Sequence, residues 1–544
     1  MRAPNLFFVL FAGGLTLAPA AFAAEQASEI VDKIVAGEQQ FLDQMKDQQP
    51  VLEAYIQQMT PADTVLRDDY MLMRLDMATN VDKPITESSD FHKPFFRLDF
   101  TGHKLWFRPA GFVRMAFVDL KDFTSDSYQF EYLRREFLGD VRCLVFQVTP
   151  RNPGDGSRFL GDIWVDDDAY RIVRFNGTFT DGKTSNLYFH FDSWRVNTAP
   201  NVWLPAYVYV EEGNQAPDIK EKYRLKARVM FWGYGNKPGS RLDELSEIHI
   251  DSPNTVDDKQ ASGDMLPLQS QREWEGEAEQ NVLDKLERSG LLAPKGDVDK
   301  VLDTVVRNLE VTNHLDLDAH CRVLLTTPME SFSMYRTIVV SRGLLDVLPD
   351  EASLAMVLAE ELAHLALGQK TPTAFAFGDS TIFDENEILQ RLNVARTSAE
   401  MDAAGKKALE LLKNSPYAGK LGDAGLFLKE LSAHEQNLTN LVRAHLGNAM
   451  VSRANMARLA ALEESAPPLQ EDKIDQIAAL PLGSRIKLNP WSDEITLVKT
   501  EELPLRSARE KMPFEITPVI LHLSRAEAPA GARSSESAQL GASR

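Results

Sequence analysis

The residues of this 544-residue chain best placed to do chemistry lie in the run Ala359-Glu360-Glu361-Leu362-Ala363-His364. Leu354, Leu358, Leu362 and Leu365 repeat through it at helical spacing, Pro349-Asp350 supplies a start signal, and Gly368 supplies a stop. The spacing therefore predicts one long helix. In the pattern H-E-x-x-H, two histidines four apart on a helix face one zinc ion, and the glutamate between them serves as general base. Here Glu361 holds the base position and His364 the second ligand position, while Glu360 stands where the first histidine is expected.

The surrounding sequence extends the pattern. Thr-Ile-Val-Val-Ser-Arg-Gly-Leu-Leu (337–345), Asp-Glu-Ala-Ser-Leu-Ala (350–355) and Val-Leu-Ala-Glu-Glu-Leu-Ala-His (357–364) follow in order. Together they resemble the HtpX-like zinc metalloendopeptidases, metallopeptidase family forty-eight, over roughly residues 275–490. The resemblance implies a zinc cofactor, a polypeptide substrate, and a strand that ends in Gly-Leu before the active-site helix. It also implies a substrate-pairing edge strand near Ser331 to Val340, with Ser331 and Phe332 as substrate-binding positions.

The family's third zinc ligand is a Glu in an E-x-x-A-D pattern on a later helix, and the best local match is residues 398–412. Aligning Ala404-Gly405 with the Ala-Asp pair puts the ligand at Met401, and aligning Met401-Asp402 puts it at Ser398. Neither register supplies a carboxylate. Glu400 and Asp402 flank the position, but adjacent residues on a helix point about 100° apart. Two of the three expected ligands are thus replaced. An oxygen-rich set of Glu360, His364 and either Glu400 or Asp402 would shift preference from zinc toward harder divalent cations. The plainer alternative is that Glu360 pairs with a nearby arginine or water and no metal binds. His434 and His445 read as surface or core histidines.

Positioning elements come from two differently patterned halves. From about residue 68 to 251 the period is two: Leu225, Ala227, Val229 and Phe231 alternate with Arg224, Lys226, Arg228 and Met230, and Leu187, Phe189 and Phe191 alternate with polar neighbours. Further strands are predicted at 104–107, 128–133, 143–149, 162–165, 170–175 and 202–210, divided by turn signals such as Asp181-Gly182. Many strands without intervening helices predict a large antiparallel sheet. Within it, Gly-Asp-Ile-Trp-Val-Asp (161–166), Tyr-Arg-Ile-Val-Arg-Phe (170–175) and Trp-Leu-Pro (203–205) resemble the LolA-like outer-membrane lipoprotein-sorting class. That resemblance implies a curved, incomplete barrel around an apolar cavity, with an acyl chain or lipoprotein as ligand. The alternative is a scaffold sheet whose concave face is filled by its own side chains or by the neighbouring domain.

The expected fold class is α+β in two domains: a curved antiparallel half-barrel, then a mainly helical metallopeptidase-like domain with a small sheet. The expected divisions are a signal peptide (1–23), a helical lead (24–67), the sheet domain (68–251) and a linker (252–271). The helical domain (272–500), a strand extension (501–524) and a disordered tail (525–544) follow. Arg2, the apolar run Leu6–Leu17 and Ala21-Phe22-Ala23 have the order of a secretory signal, which predicts export, to the periplasm in a Gram-negative source. No later stretch has the roughly 18 uncharged apolar residues of a spanning helix. Lys plus Arg number 59 against 80 Asp plus Glu, a net charge of −21, which disfavours nucleic acid and anionic membranes as partners. The 2 cysteines, Cys143 and Cys321, exclude a disulfide scaffold; both sit beside apolar runs and read as buried thiols, with a bridge left open by export. Three readings follow: a metallopeptidase-like protein with a weakened or lost zinc site that acts by binding, an active metalloendopeptidase of envelope or misfolded proteins, and a lipid or lipoprotein carrier.

Overall fold

The computed structural model describes residues 18–60, 62–77, 81–84, 97–100, 103–106, 109–152, 158–180, 190–212, 224–235, 267–371, 392, 394–451, 459–470, 472–476, 483, 485–498, 507 and 516–526. The signal-like residues 1–17, the linker residues 252–266 and the tail beyond 526 lie outside that set.

Helix α1 (Ala18–Met45) leads into β1 (Val51–Met59), β2 (Val65–Asp76) and β3 (Val81–Pro84). A separate two-stranded ribbon, β4 (Arg97–Phe100) and β5 (His103–Trp106), precedes the short helix α2 (Pro109–Arg114). The chain then runs up and down through β6 (Tyr128–Leu138), β7 (Val141–Pro150), β8 (Arg158–Asp166), β9 (Ile172–Thr180), β10 (His190–Ala199), β11 (Val202–Glu212) and β12 (Arg224–Trp232). These strands form a ten-stranded open sheet in the order β3-β2-β1-β12-β11-β10-β9-β8-β7-β6, antiparallel throughout. The sheet begins at Val51, inside the segment read as a helical lead. Its alternation is hidden because every residue of β1 but one is buried, so both faces carry mostly non-solvated side chains. A strand covered on two faces loses the polar half of the period-two signal.

The second half opens with α3 (Pro267–Arg288) and α4 (Asp297–Thr312), followed by β13 (His320–Leu324), β14 (Glu330–Met334) and β15 (Thr337–Ser341). Helices α5 (Arg342–Val347), α6 (Glu351–Ala366), α7 (Ser398–Lys413), α8 (Leu421–His434), α9 (Thr439–Val442) and α10 (Ala460–Ser465) come next, interrupted by β16 (Asn448–Ala449). β13, β15, β14 and β16 make a small mixed sheet in that order, and β17 (Ile486–Leu488) pairs with β18 (Ile495–Leu497). Gly343 follows β15 so closely against Thr327 that a Cβ there would lie 1.7 Å from the Thr327 carbonyl oxygen.

The large sheet is packed on both faces. One face buries Ile56, Phe146, Phe159, Phe175, Phe191 and Val229 beneath α1 and α2, which contribute Ile34, Phe41, Met45 and Phe112. The other buries Tyr55, Trp164, Trp194, Tyr207 and Trp232 in one continuous core with the C-terminal half. Polar contacts cross that second boundary. Glu53 of β1 accepts from Arg342 Nη2 at 2.6 Å and from Thr327 Oγ1 at 2.7 Å. Asp68 of β2 accepts from the Asn440 and Leu441 backbone N–H groups, and Trp232 Nε1 donates to Gly290 O at 2.7 Å. Of the expected strand extension (501–524), residues 501–506 and 508–515 lie outside the described residues; the segment 516–526 is irregular, anchored by Ile516 N–H to Gln57 and by Leu523 O to Asp140 N–H. Arg525 bonds Asp166, so the tail is held at its first residue.

Candidate functional site

Helix α6 forms where its caps predict. The Asp350 carboxylate accepts from Ser353 N–H at 2.7 Å, and Gly368 takes a φ of +64° just past the last turn, a conformation glycine adopts without strain. The helix is buried from Ala352 to His364 except for the half-buried Leu354, and packs on α4, α7, α8 and β14. Glu360, Glu361 and His364 are 1%, 0% and 0% exposed. Ser331 Oγ of β14 donates to Glu361 Oε1 at 2.7 Å. His364 Nδ1 lies 2.5 Å from Gln369 Oε1, and the same amide donates through Nε2 to the Glu400 carbonyl at 3.2 Å. That second bond orients the amide, so Oε1 is the acceptor and His364 Nδ1 carries the proton.

The structure brings Glu360, Glu361, His364 and Ser331 into one buried neighbourhood. Glu400 comes near, but its carboxylate turns back on its own helix. Oε2 accepts from Thr397 N–H at 2.9 Å and from Thr397 Oγ1 at 2.7 Å, closing a capping box at the start of α7. These bonds, with smaller contributions from Arg396 and His364, hold the Glu400 carboxyl below its usual range. Asp402 is exposed on the same helix. Among the described residues, no group of three or more His, Cys, Asp or Glu is arranged to hold a metal ion. The Glu400 carboxylate, one of the two expected from α7, is committed to that helix cap.

β14 is buried along its whole length, Ser331 and Phe332 included. Its inner side pairs with β15, and its outer side pairs at Glu330 and Ser331 with β16. Beyond β16, the Ser333 carbonyl accepts from Thr371 Oγ1 and Arg396 Nη2. Sequence reasoning did not single out Arg396, Gln369 or Glu330. Glu330 Oε2 accepts from three successive N–H groups, those of His445, Leu446 and Gly447, at 3.0, 2.8 and 2.8 Å. Burial nonetheless pushes its carboxyl up. His445 stacks near Tyr70, 4.8 Å between ring centroids, and burial pushes its imidazole down to about 4. His434 Nδ1 sits against the Glu430 carbonyl of its own helix. Cys143 and Cys321 are both buried free thiols; burial raises Cys143 to about 12 and Cys321 well above the usual thiol range.

Fold and site together define a protein with an open antiparallel sheet joined, through a shared core, to a helical half that carries a buried Glu-Glu-x-x-His helix. No known family profile matches the chain, and no curated protein matches it. Similar solved structures include a DUF1329 family protein from Desulfovibrio piger, 16% identical, covering 37% of this chain and 90% of that one with a TM-score of 0.20. A putative outer membrane lipoprotein-sorting protein domain from Vibrio parahaemolyticus is 12% identical, covering 37% and 91%, with a TM-score of 0.20. A LolA superfamily protein from Nitrosomonas europaea is 13% identical, covering 36% and 90%, with a TM-score of 0.18. Among the described residues, no helix is long and apolar enough to cross a membrane.

Proposed function

We propose that this chain is an exported binding protein of the cell envelope, periplasmic in a Gram-negative source. Its N-terminal sheet receives an acyl chain or lipoprotein on the face beneath α1 and α2. The C-terminal half, metallopeptidase-like in sequence, closes the opposite face and does not hydrolyse. The observation that carries this reading is the unequal treatment of the two faces. The face toward the C-terminal half is locked by buried polar bonds at Glu53, Asp68 and Trp232. The other is apolar and lies under one long helix and one of six residues. The polar anchors of α1 to the sheet, Glu38 to Arg195 and Gly37 and Gln40 to Arg171, fall within one helical turn. Beyond these anchors and the cation–π contacts of Lys33 with Tyr170 and Arg114 with Phe179, the cover buries apolar side chains such as Ile34, Phe41, Met45 and Phe112, contacts of a kind that an acyl chain can replace at little polar cost.

Native mass spectrometry of the full chain purified without detergent tests the reading. An acyl ligand is expected, and repeated spectra of the bare chain count against it. Metal analysis of the wild type beside Glu360→His tests the other half of the proposal. Stoichiometric zinc in the wild type with chelator-sensitive cleavage of unfolded protein would overturn it.

One arrangement favours active metalloendopeptidase chemistry as a second reading. Glu361 and His364 lie on neighbouring turns of one buried helix, and Gln369 orients the imidazole as ligand-supporting groups do. Under this reading Glu361 takes the proton from the attacking water. Cleavage unchanged in Glu361→Gln rules that mechanism out.

A further inference from the structure

β6 ends the ten-stranded sheet, and no described residue hydrogen-bonds to the outer side of its backbone. At 11 residues it spans about 35 Å, a long edge to leave open. It also displays large apolar side chains: Phe137 is 68% exposed, Tyr132 51% and Leu133 38%. Glu131, Arg134 and Arg135 stand exposed among them, with Glu136 half-buried. These two acids and two bases balance locally, whereas the whole chain has a net charge of −21. The facing pairs with β7 assign the sides. Glu131, Arg134 and Glu136 lie on the side of the core shared with the C-terminal half, and Phe130, Tyr132, Arg135 and Phe137 on the side of α1 and α2. Leu133 is the extra residue of a bulge, between Tyr132 opposite Phe146 and Arg134 opposite Val145.

We propose that β6 pairs antiparallel with β6 of a second copy of this chain, joining the two large sheets across a two-fold axis. Charge selects the register. Facing residues must share a side of the sheet, so the registers that pair most of the strand place Glu131, Tyr132, Arg134, Arg135 or Glu136 opposite itself at the axis. All but the Tyr132 register set like charges face to face, which destabilises a strand pair. With Tyr132 at the axis, Glu131 of each copy faces Arg134 of the other. Arg135 then faces the Phe130 ring, and exposed Phe137 faces Tyr128. The bulge twists this edge and discourages pairing with an arbitrary strand, but a second copy brings the same twist. The local charge balance spares the edge the repulsion that an acidic chain otherwise meets in approaching itself. The interface uses only the edge of the sheet and does not rest on a ligand for its faces.

Sedimentation velocity of the full chain through a dilution series at physiological ionic strength tests the proposal. A reversible dimer is expected within a range reaching about 100 μM. Glu131→Arg and Arg134→Glu, both at exposed positions, are each expected to weaken the dimer at least tenfold while keeping the wild-type circular dichroism spectrum. Mixing the two single variants is expected to restore it, because each charge then meets its opposite on the other chain. Phe137→Ser, expected to weaken the dimer several-fold, serves where a charge variant does not fold. A monomer throughout the series, full affinity in every variant that folds, or charge variants that stay monomeric when mixed overturns the pairing.

Discussion

Glu53 and Arg342, 289 residues apart in the chain, meet at 2.6 Å with both side chains buried, and the bond joins the two halves of the molecule. Glu53 also accepts from Tyr70 and Thr327, so its carboxylate is the hub of the boundary. Removing either charge strands the other away from water. Glu53→Ala or Arg342→Met is expected to destabilise the chain by about 3–5 kcal/mol in urea unfolding, with partial recovery in the double variant. A loss below about 1 kcal/mol in both single variants would contradict this account.

A second contact across the same boundary titrates. Burial pushes the Asp68 carboxyl up to about 6, overcoming the bonds from Asn440, Leu441 and Tyr55 that favour its charged form. Below about pH 4, folded and unfolded chains both hold this proton. Between about 4 and 6 the folded state keeps it while the unfolded state has lost it, so stability falls as the pH rises, by about 2–3 kcal/mol in all. Asp68→Asn is expected to remove that slope. Unfolding midpoints of the two proteins across the window decide the matter, and identical slopes would refute it.

Backbone crowding predicts a sharp contrast between two glycines. Gly343→Ala drives a Cβ into the Thr327 carbonyl and is expected to cost at least ~3 kcal/mol or to block folding. Gly111→Ala, inside α2 with open space around it, is expected to change stability by less than about 1 kcal/mol, in the stabilising direction. Thermal melts of both variants suffice.

The cap that diverts Glu400 is also measurable. Thr397→Ala is expected to cost about 1 kcal/mol and to release the Glu400 carboxyl toward its ordinary pKa. Carboxylate chemical shifts followed by NMR through an acid titration report the release directly.

Much of the frame was legible because single-faced burial leaves a period in the sequence. β7 and β8 cover the predicted 143–149 and 162–165, and α6 starts at its predicted cap. β1 escaped because it has no wet face. The capping box, Thr397-Ser-Ala-Glu400, carried a readable spacing, and it explains why the Glu400 carboxylate turns back on its own helix. Arg396 and Gln369 had no such signal. Their roles come from β14, β16 and the α7 start meeting in space, and no local pattern encodes that meeting.

The place of β1 in the sheet also bears on how the chain folds. β1 lies between β2 and β12, with Val51 opposite both Arg74 and Trp232. The β1–β2 hairpin therefore emerges from the ribosome or an export channel with one long edge unpaired. That edge stays open until the strand ending at Trp232 has followed, and Ile516 must still arrive to cover Gln57. Pairings of such sequence separation slow folding and expose strand edges to other chains meanwhile. The ten strands can pair once Trp232 has followed, but the Gln57 side chain waits for Ile516, made more than 280 residues later.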